Sequence, residues 1–202
     1  MLKIDQLTSK GVQNYVQVCT QYCACLEQLA GAEASALYLR LVELLPGLYR
    51  GNLRLPKVTL RYVQDPERFV TEKQYKNLLR QLSALTGPRD RFPFINYPHD
   101  VERLAMADAS VAELLSDIYL EVKDFVSLYG TGTLEDMNDA LAENQDTFRQ
   151  EWGLKVLTVL NILHLYCFGE ASSSPAGGYH HEEPSPEGFD ASELQGFGTE
   201  TE

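Results

Sequence analysis

The sequence predicts an all-α fold: an antiparallel bundle of about six helices over residues 1–169, followed by a disordered acidic tail over 170–202. Three observations carry this. Apolar residues recur at the 3.6-residue helical period along most of the chain, with no competing strand period. Capping residues precede several of these stretches at the spacing a helix start requires. The composition also changes abruptly after Gly169. From Glu170 to Glu202 there is no Lys or Arg, eight residues are acidic, and Ser, Pro and Gly fill most of the remainder. Such a segment buries too little apolar area to offset its ordering entropy.

The first helix runs from about Ser9 to Leu29, with Val12, Tyr15, Val16, Cys19, Tyr22, Cys23, Leu26 and Leu29 on its apolar face. The second covers about Ala32 to Tyr49, and Pro46 is expected to kink or end it, because proline removes a donor and clashes one turn back. A loop over 51–70 carries Pro56 and Pro66. Thr71 with Gln74 forms a capping box for the third helix, with Val70 placed to staple onto Tyr75 and Gly87-Pro88 as the stop. Residues 89–108 read as a long loop containing proline and aromatics. Ser110 with Glu113 opens the fourth helix, which runs to Tyr129, and Gly130 suits a left-handed cap. Thr133 caps the fifth, running to about Gln150. Trp152-Gly153 marks a possible break before the last helix, which continues to Phe168. Its apolar stretch, Val156 to Phe168, is too short for a bilayer span of about 20 residues and reads as a buried core helix.

The net charge of −12 divides unevenly: the tail holds eight acidic residues, which leaves −4 for residues 1–169. Within that part, Arg50 to Arg91 carries +6 and Asp100 to Glu151 carries −10. Lys73, Lys76 and Arg80 line one stripe of the third helix. On the fourth helix Glu113, Asp117, Glu121 and Asp124 fall within roughly 80° of arc. Both stripes read most simply as solvated faces. They also have the signs to pair with each other, within the bundle or across a homodimer. A third reading makes the four carboxylates a Mg²⁺ site, with the basic stripe receiving the phosphates of a small molecule or nucleotide.

Other constellations are weaker. Cys19 and Cys23 share a face of the first helix, and His164 and Cys167 share one on the last. If those helices packed side by side, the four side chains could hold zinc; otherwise they are core residues, with His164 hydrogen-bonded inside. Gly130-Thr131-Gly132-Thr133 precedes a helix N-terminus able to receive an anion. In the tail, Phe189, Leu194 and Phe197 lie among acids like a short linear motif, and His180-His181 has weak metal-binding character. The chain carries no Walker loop, G-x-S-x-G elbow, H-E-x-x-H or dinucleotide fingerprint. Met1 to Lys10 lacks the apolar core of a secretory signal, and four cysteines do not make the framework of a small secreted protein. The expected location is the cytoplasm, without membrane attachment.

Several segments together resemble a bacterial family, the Bacteroidetes domain of unknown function family 5063. They are Phe69-Val-Thr-Glu-Lys-Gln-Tyr75, Asp117-Ile-Tyr119, Val122-Lys-Asp-Phe-Val126 with Leu128-Tyr129, Phe148 with Trp152-Gly153, and Leu160 through His164. The resemblance spans about residues 10–168. It implies one all-helical cytoplasmic domain and supplies no activity or cofactor. It singles out Asp117, Lys123, Asp124, Trp152 and His164 over their neighbours.

The leading expectation for function is a non-catalytic interaction or adaptor module, monomeric or homodimeric, with an unknown protein partner. Lys73, Lys76, Arg80, Lys123, Trp152 and His164 are its candidate contacts. The alternatives are a Mg²⁺-dependent enzyme or binder of phosphorylated small molecules, and nucleic-acid contact by the basic segment 50–91.

Overall fold

Four helices start on a side-chain cap. In the computed structural model, which describes residues 4–59, 68–96 and 105–169, a single turn α1 (Ile4–Leu7) leads into α2 (Lys10–Glu27), capped by Ser9. Helix α4 (Glu72–Thr86) opens with the full capping box: the Thr71 hydroxyl accepts from the Gln74 amide, and the Gln74 side chain accepts from the Thr71 amide. Ser110 accepts from the Glu113 amide at the start of α5 (Val111–Gly130), and Thr133 from that of Asp136 at the start of α6 (Leu134–Thr147). Each bond satisfies a donor that the helix itself leaves without a partner. Helix α3 (Ala34–Leu53) has no side-chain cap: Glu33 occupies that position without bonding the first turn. The chain ends its described part with α7 (Gly153–Phe168).

Helix α5 is the hub of the bundle. It packs against α2, α4, α6 and α7, while α3 packs against α2 and α7. Val111, Ala112, Leu115, Ile118, Val122 and Phe125 put the buried face of α5 into one core with Tyr15, Cys19 and Tyr22 of α2 and Leu41, Leu45 and Leu48 of α3. The core of the described residues is therefore a helical bundle, as the periodicity requires.

Four local expectations are corrected. Residues 89–108 are not all loop: β1 (Arg91–Asn96) and β2 (Ala105–Ser110) pair antiparallel, with Arg91 opposite Ser110 and Asn96 opposite Ala105. Asp90 closes the base of this hairpin. Its carboxylate accepts from Thr86 Oγ1 (3.0 Å), Ser110 Oγ (2.8 Å) and the Ala112 amide (2.9 Å), tying the end of α4 to the start of α5. Pro46 neither ends nor interrupts α3. Leu44, Leu45 and Leu48 are buried on both sides of it, and the exposed ring faces solvent. Core burial outweighs the one hydrogen bond the proline removes. Gly130 is the last helical residue of α5, and the left-handed conformation falls two residues on, at Gly132 (φ 84°). Trp152-Gly153 is no break. Phe148–Trp152 form one wide π turn that joins α6 to α7 and lets Trp152 reach full burial.

Residues 60–67, 97–104 and 170–202 lie outside the described residues, and with them Pro66, His180-His181 and the tail residues Phe189, Leu194 and Phe197.

Candidate functional site

The acidic stripe of α5 faces protein donors along its whole length. Asp124, buried, accepts from the backbone amides of Phe69 (2.7 Å) and Val70 (2.9 Å), and Arg68 lies 3.5 Å from its other oxygen. Arg68 also reaches Glu121 (3.5 Å) and Glu143 (3.2 Å). Burial alone would lower the Arg68 pKa, but the three carboxylates around it outweigh burial and hold it higher. Glu121 moves up because burial dominates over the attraction of Arg68. One turn earlier, Asp117 accepts from the Tyr75 hydroxyl (2.6 Å) and from Lys155 of α7 (2.8 Å). Burial and the neighbouring Asp117 carboxylate both keep the Tyr75 hydroxyl protonated. Glu113 meets Arg91 of the hairpin at 3.4 Å.

Two of the resembling segments therefore hold each other. Asp117 and Asp124 anchor both ends of Phe69–Tyr75, the lead-in and first turn of α4. The basic stripe is elsewhere: Lys73, Lys76 and Arg80 line the solvent side of α4, where Lys76 pairs with Glu72 and Arg80 with Asn77 (2.7 Å). The two stripes do not meet; the acids take Arg68, Arg91 and Lys155 instead. Lys123 bonds Glu27 (2.7 Å), which also accepts from Tyr119 (2.7 Å). Burial works against ionisation of Glu27, and these two donors more than offset it, so its pKa falls. Trp152 is a core residue, edge-on to Phe148 at 4.8 Å, with its indole N–H on Thr147 (3.2 Å). His164 is exposed, its ring 5.1 Å from that of Phe168. Asp117, Asp124, Trp152 and His164 thus scatter between seam, core and surface.

The metal readings lack geometry. Glu113 to Asp124 spans eleven residues, about 16 Å of helix, too long for one ion to bridge. Cys19 and Cys23 are buried in α2, and α2 and α7 each pack chiefly on α3 and α5, so His164 and Cys167 do not join them. Among the described residues no group of three or more His, Cys, Asp or Glu is placed to share a metal ion. Burial pushes the Cys23 thiol up to about 12, which removes it as a nucleophile near neutral pH. The proposed anion position at the start of α6 is filled from within. Asp136 accepts from Thr131 Oγ1 (2.7 Å), and bonds to Thr131 and Thr133 hold its pKa down.

What the sequence reading missed lies on α7. This helix is apolar nearly all round, yet only Val156, Val159 and Leu163 of its side chains are fully buried. Leu154 (58 % exposed), Leu157 (44 %), Leu165 (54 %) and Phe168 (58 %) face outward with Asn161 and His164. At about 100° per residue these six fall within about 100° of arc, opposite the buried three. The signal was available: apolar residues on every side of a helix leave a second face to be covered. No described helix is long and apolar enough to cross a membrane.

An all-helical bundle with an appended hairpin and a bare apolar helix face is the class these features define. The chain belongs to the family described as domain of unknown function (DUF5063), whose model matches residues 6–168. The resemblance noted from the sequence alone is thereby borne out. A crystal structure of a protein from Bacteroides fragilis, solved by a structural genomics consortium, is similar to this chain. The two are 29 % identical with a TM-score of 0.70, and the match covers 84 % of this chain and 97 % of that one. No curated protein matches.

Proposed function

We propose that this protein is a non-catalytic interaction module whose contact surface is the outer face of α7. The carrying observation is the stripe Leu154, Leu157, Asn161, His164, Leu165 and Phe168, exposed at the 3-4 spacing by which helices pair. Its spacing is symmetric about Asn161. Leu157 and Leu165 lie four residues to either side, and Leu154 and Phe168 lie seven to either side. An antiparallel pairing of two α7 helices on a two-fold axis would set Asn161 against its own copy, Leu157 against Leu165 and Leu154 against Phe168. Lys155 is the one charged residue of α7, and it is engaged by Asp117 away from this face. Nothing charged on α7 opposes self-association.

Sedimentation equilibrium on the full chain tests this. A dimer is expected at micromolar concentration, and Leu157→Glu is expected to raise its dissociation constant at least about 100-fold. Because Leu157 is exposed, the helical circular-dichroism melt of the variant should match the parent. A monomer at about 100 µM, or a Leu157→Glu variant that still dimerises, removes the reading.

A further inference from the structure

We propose that the cleft between the N-terminal turn of α3, the end of α4 and α7 binds a small organic anion, an aromatic carboxylate. This site is separate from the outer face of α7 and does not rest on that reading. The cavity measures about 540 Å³ and is lined by Ser35, Tyr38, Leu39, Pro88, Arg89 and Tyr166 among others, a size that suits a small ligand and is several times larger than one inorganic anion needs.

Two of the lining residues, Tyr38 and Arg89, carry donors without an acceptor among the described residues. Tyr38 is 2 % exposed, and its hydroxyl has no hydrogen-bond partner among the described residues. A buried hydroxyl left unpaired costs about 1–3 kcal/mol, and a native fold retains such a cost where a ligand or water completes it. Asp90, the nearby carboxylate, is already taken by Thr86, Ser110 and Ala112. Burial raises the Tyr38 pKa, with Arg89 opposing, so the hydroxyl remains a donor. The Arg89 guanidinium has no carboxylate partner among the described residues; it lies 5.6 Å from the centroid of the Tyr166 ring. The first turn of α3, at Ala34 and Ser35, has no side-chain cap, so its amides and the positive end of the helix dipole are open to an anion.

The walls define the rest of the ligand. Tyr38 and Tyr166 lie 5.6 Å apart as a tilted pair, and Leu39 is half exposed beside them. An aromatic body would cover Leu39 and Pro88 and pack on the Tyr166 ring, while inorganic phosphate would leave them bare. The Tyr166 hydroxyl donates to the Arg89 carbonyl (2.8 Å) and fixes that backbone before any ligand arrives.

Isothermal titration of the full chain with 2-naphthoate, with 2-naphthamide as neutral counterpart and with inorganic phosphate tests the proposal. Saturable binding of 2-naphthoate is expected, at least about 10-fold tighter than of 2-naphthamide or phosphate. Arg89→Gln, an exposed position, is expected to weaken it at least about 10-fold. Tyr38→Phe is expected to weaken it about 5-fold or more while leaving the ligand-free melting temperature unchanged or higher, since it deletes an unpaired hydroxyl. Absence of saturable heat up to about 10 mM 2-naphthoate, equal binding by both variants, or a lowered ligand-free melting temperature for Tyr38→Phe each overturns it.

Discussion

Asp124 sits at 6 % exposure in a stripe whose first member, Glu113, is exposed. By pattern it is one more acid on a polar face. In the fold it accepts two backbone amides from a different segment, Phe69 and Val70, which no helix or strand would otherwise satisfy. Glu121, one turn back, is raised by burial, which outweighs the attraction of Arg68. Its folded carboxyl holds a proton more tightly than the unfolded one. The stability it contributes is therefore complete below the ordinary value of 4.5 and is lost as pH rises through the raised folded value. Glu121→Gln is expected to be neutral to stabilising at pH 7, by less than about 1 kcal/mol. Arg68 keeps Asp124 and Glu143 in that variant. The difference should vanish below pH 4.5, where both side chains are neutral. Urea midpoints measured across that range check it; a loss at pH 7 would mean that the Arg68 ion pair outweighs burial.

At the scale of elements, α3 shows how a close approach overrides propensity. A Cβ added at Gly51 would lie 2.5 Å from Cδ2 of Tyr15. Tyr15 cannot swing aside: its hydroxyl accepts from Asn52 and Asn144, both at 3.2 Å, and its ring packs 5.4 Å from Phe125. Gly51→Ala gains at most about 1 kcal/mol of helix propensity and meets an overpacking cost of about 1–3 kcal/mol. A net loss of about 1–2 kcal/mol is expected in urea unfolding. The loss should disappear in a Tyr15→Leu background, where the ring is gone. The hairpin teaches the complementary lesson. Its second strand, Ala-Met-Ala-Asp-Ala-Ser, is poor in β-formers, and Pro93 interrupts the first. The pairing rests on tertiary support instead, from the burial of Phe92 and from Asp90 beneath it.

Part of the charge separation that runs along the sequence closes up in space. Arg68 and Arg91 come from the basic segment 50–91, and their partners Glu113, Glu121, Asp124 and Glu143 come from the acidic segment 100–151. Lys76 is paired within α4, and Arg89 lies over an aromatic ring. The chain as a whole carries a net charge of −12, which repels a polyanion. The full chain is expected to show no salt-dependent retention of a single- or double-stranded oligonucleotide at about 0.1 M salt. Retention that falls steeply with added salt in a filter-binding assay would contradict this.

The sequence by itself determined the helical class, the starts of α4, α5 and α6, and the family. Those depend on local matters: periodicity, a hydroxyl three residues ahead of an amide, an ordered set of short motifs. It could not determine which polar residues would be buried. Asp124, Asn138, Asn144 and Gln145 look like surface residues by type, yet all are inside. Asn138 and Gln145 are held there by distant carbonyls, those of Thr59 (2.9 Å) and Pro56 (2.7 Å). Nor could it show that Tyr38, Arg89 and Tyr166 line one cleft. Tyr38 and Tyr166 stand 128 positions apart in the chain. Such proximity arises only when helices pack, because a buried hydrogen bond or a cavity belongs to the residues that meet and not to the segment that supplies each of them.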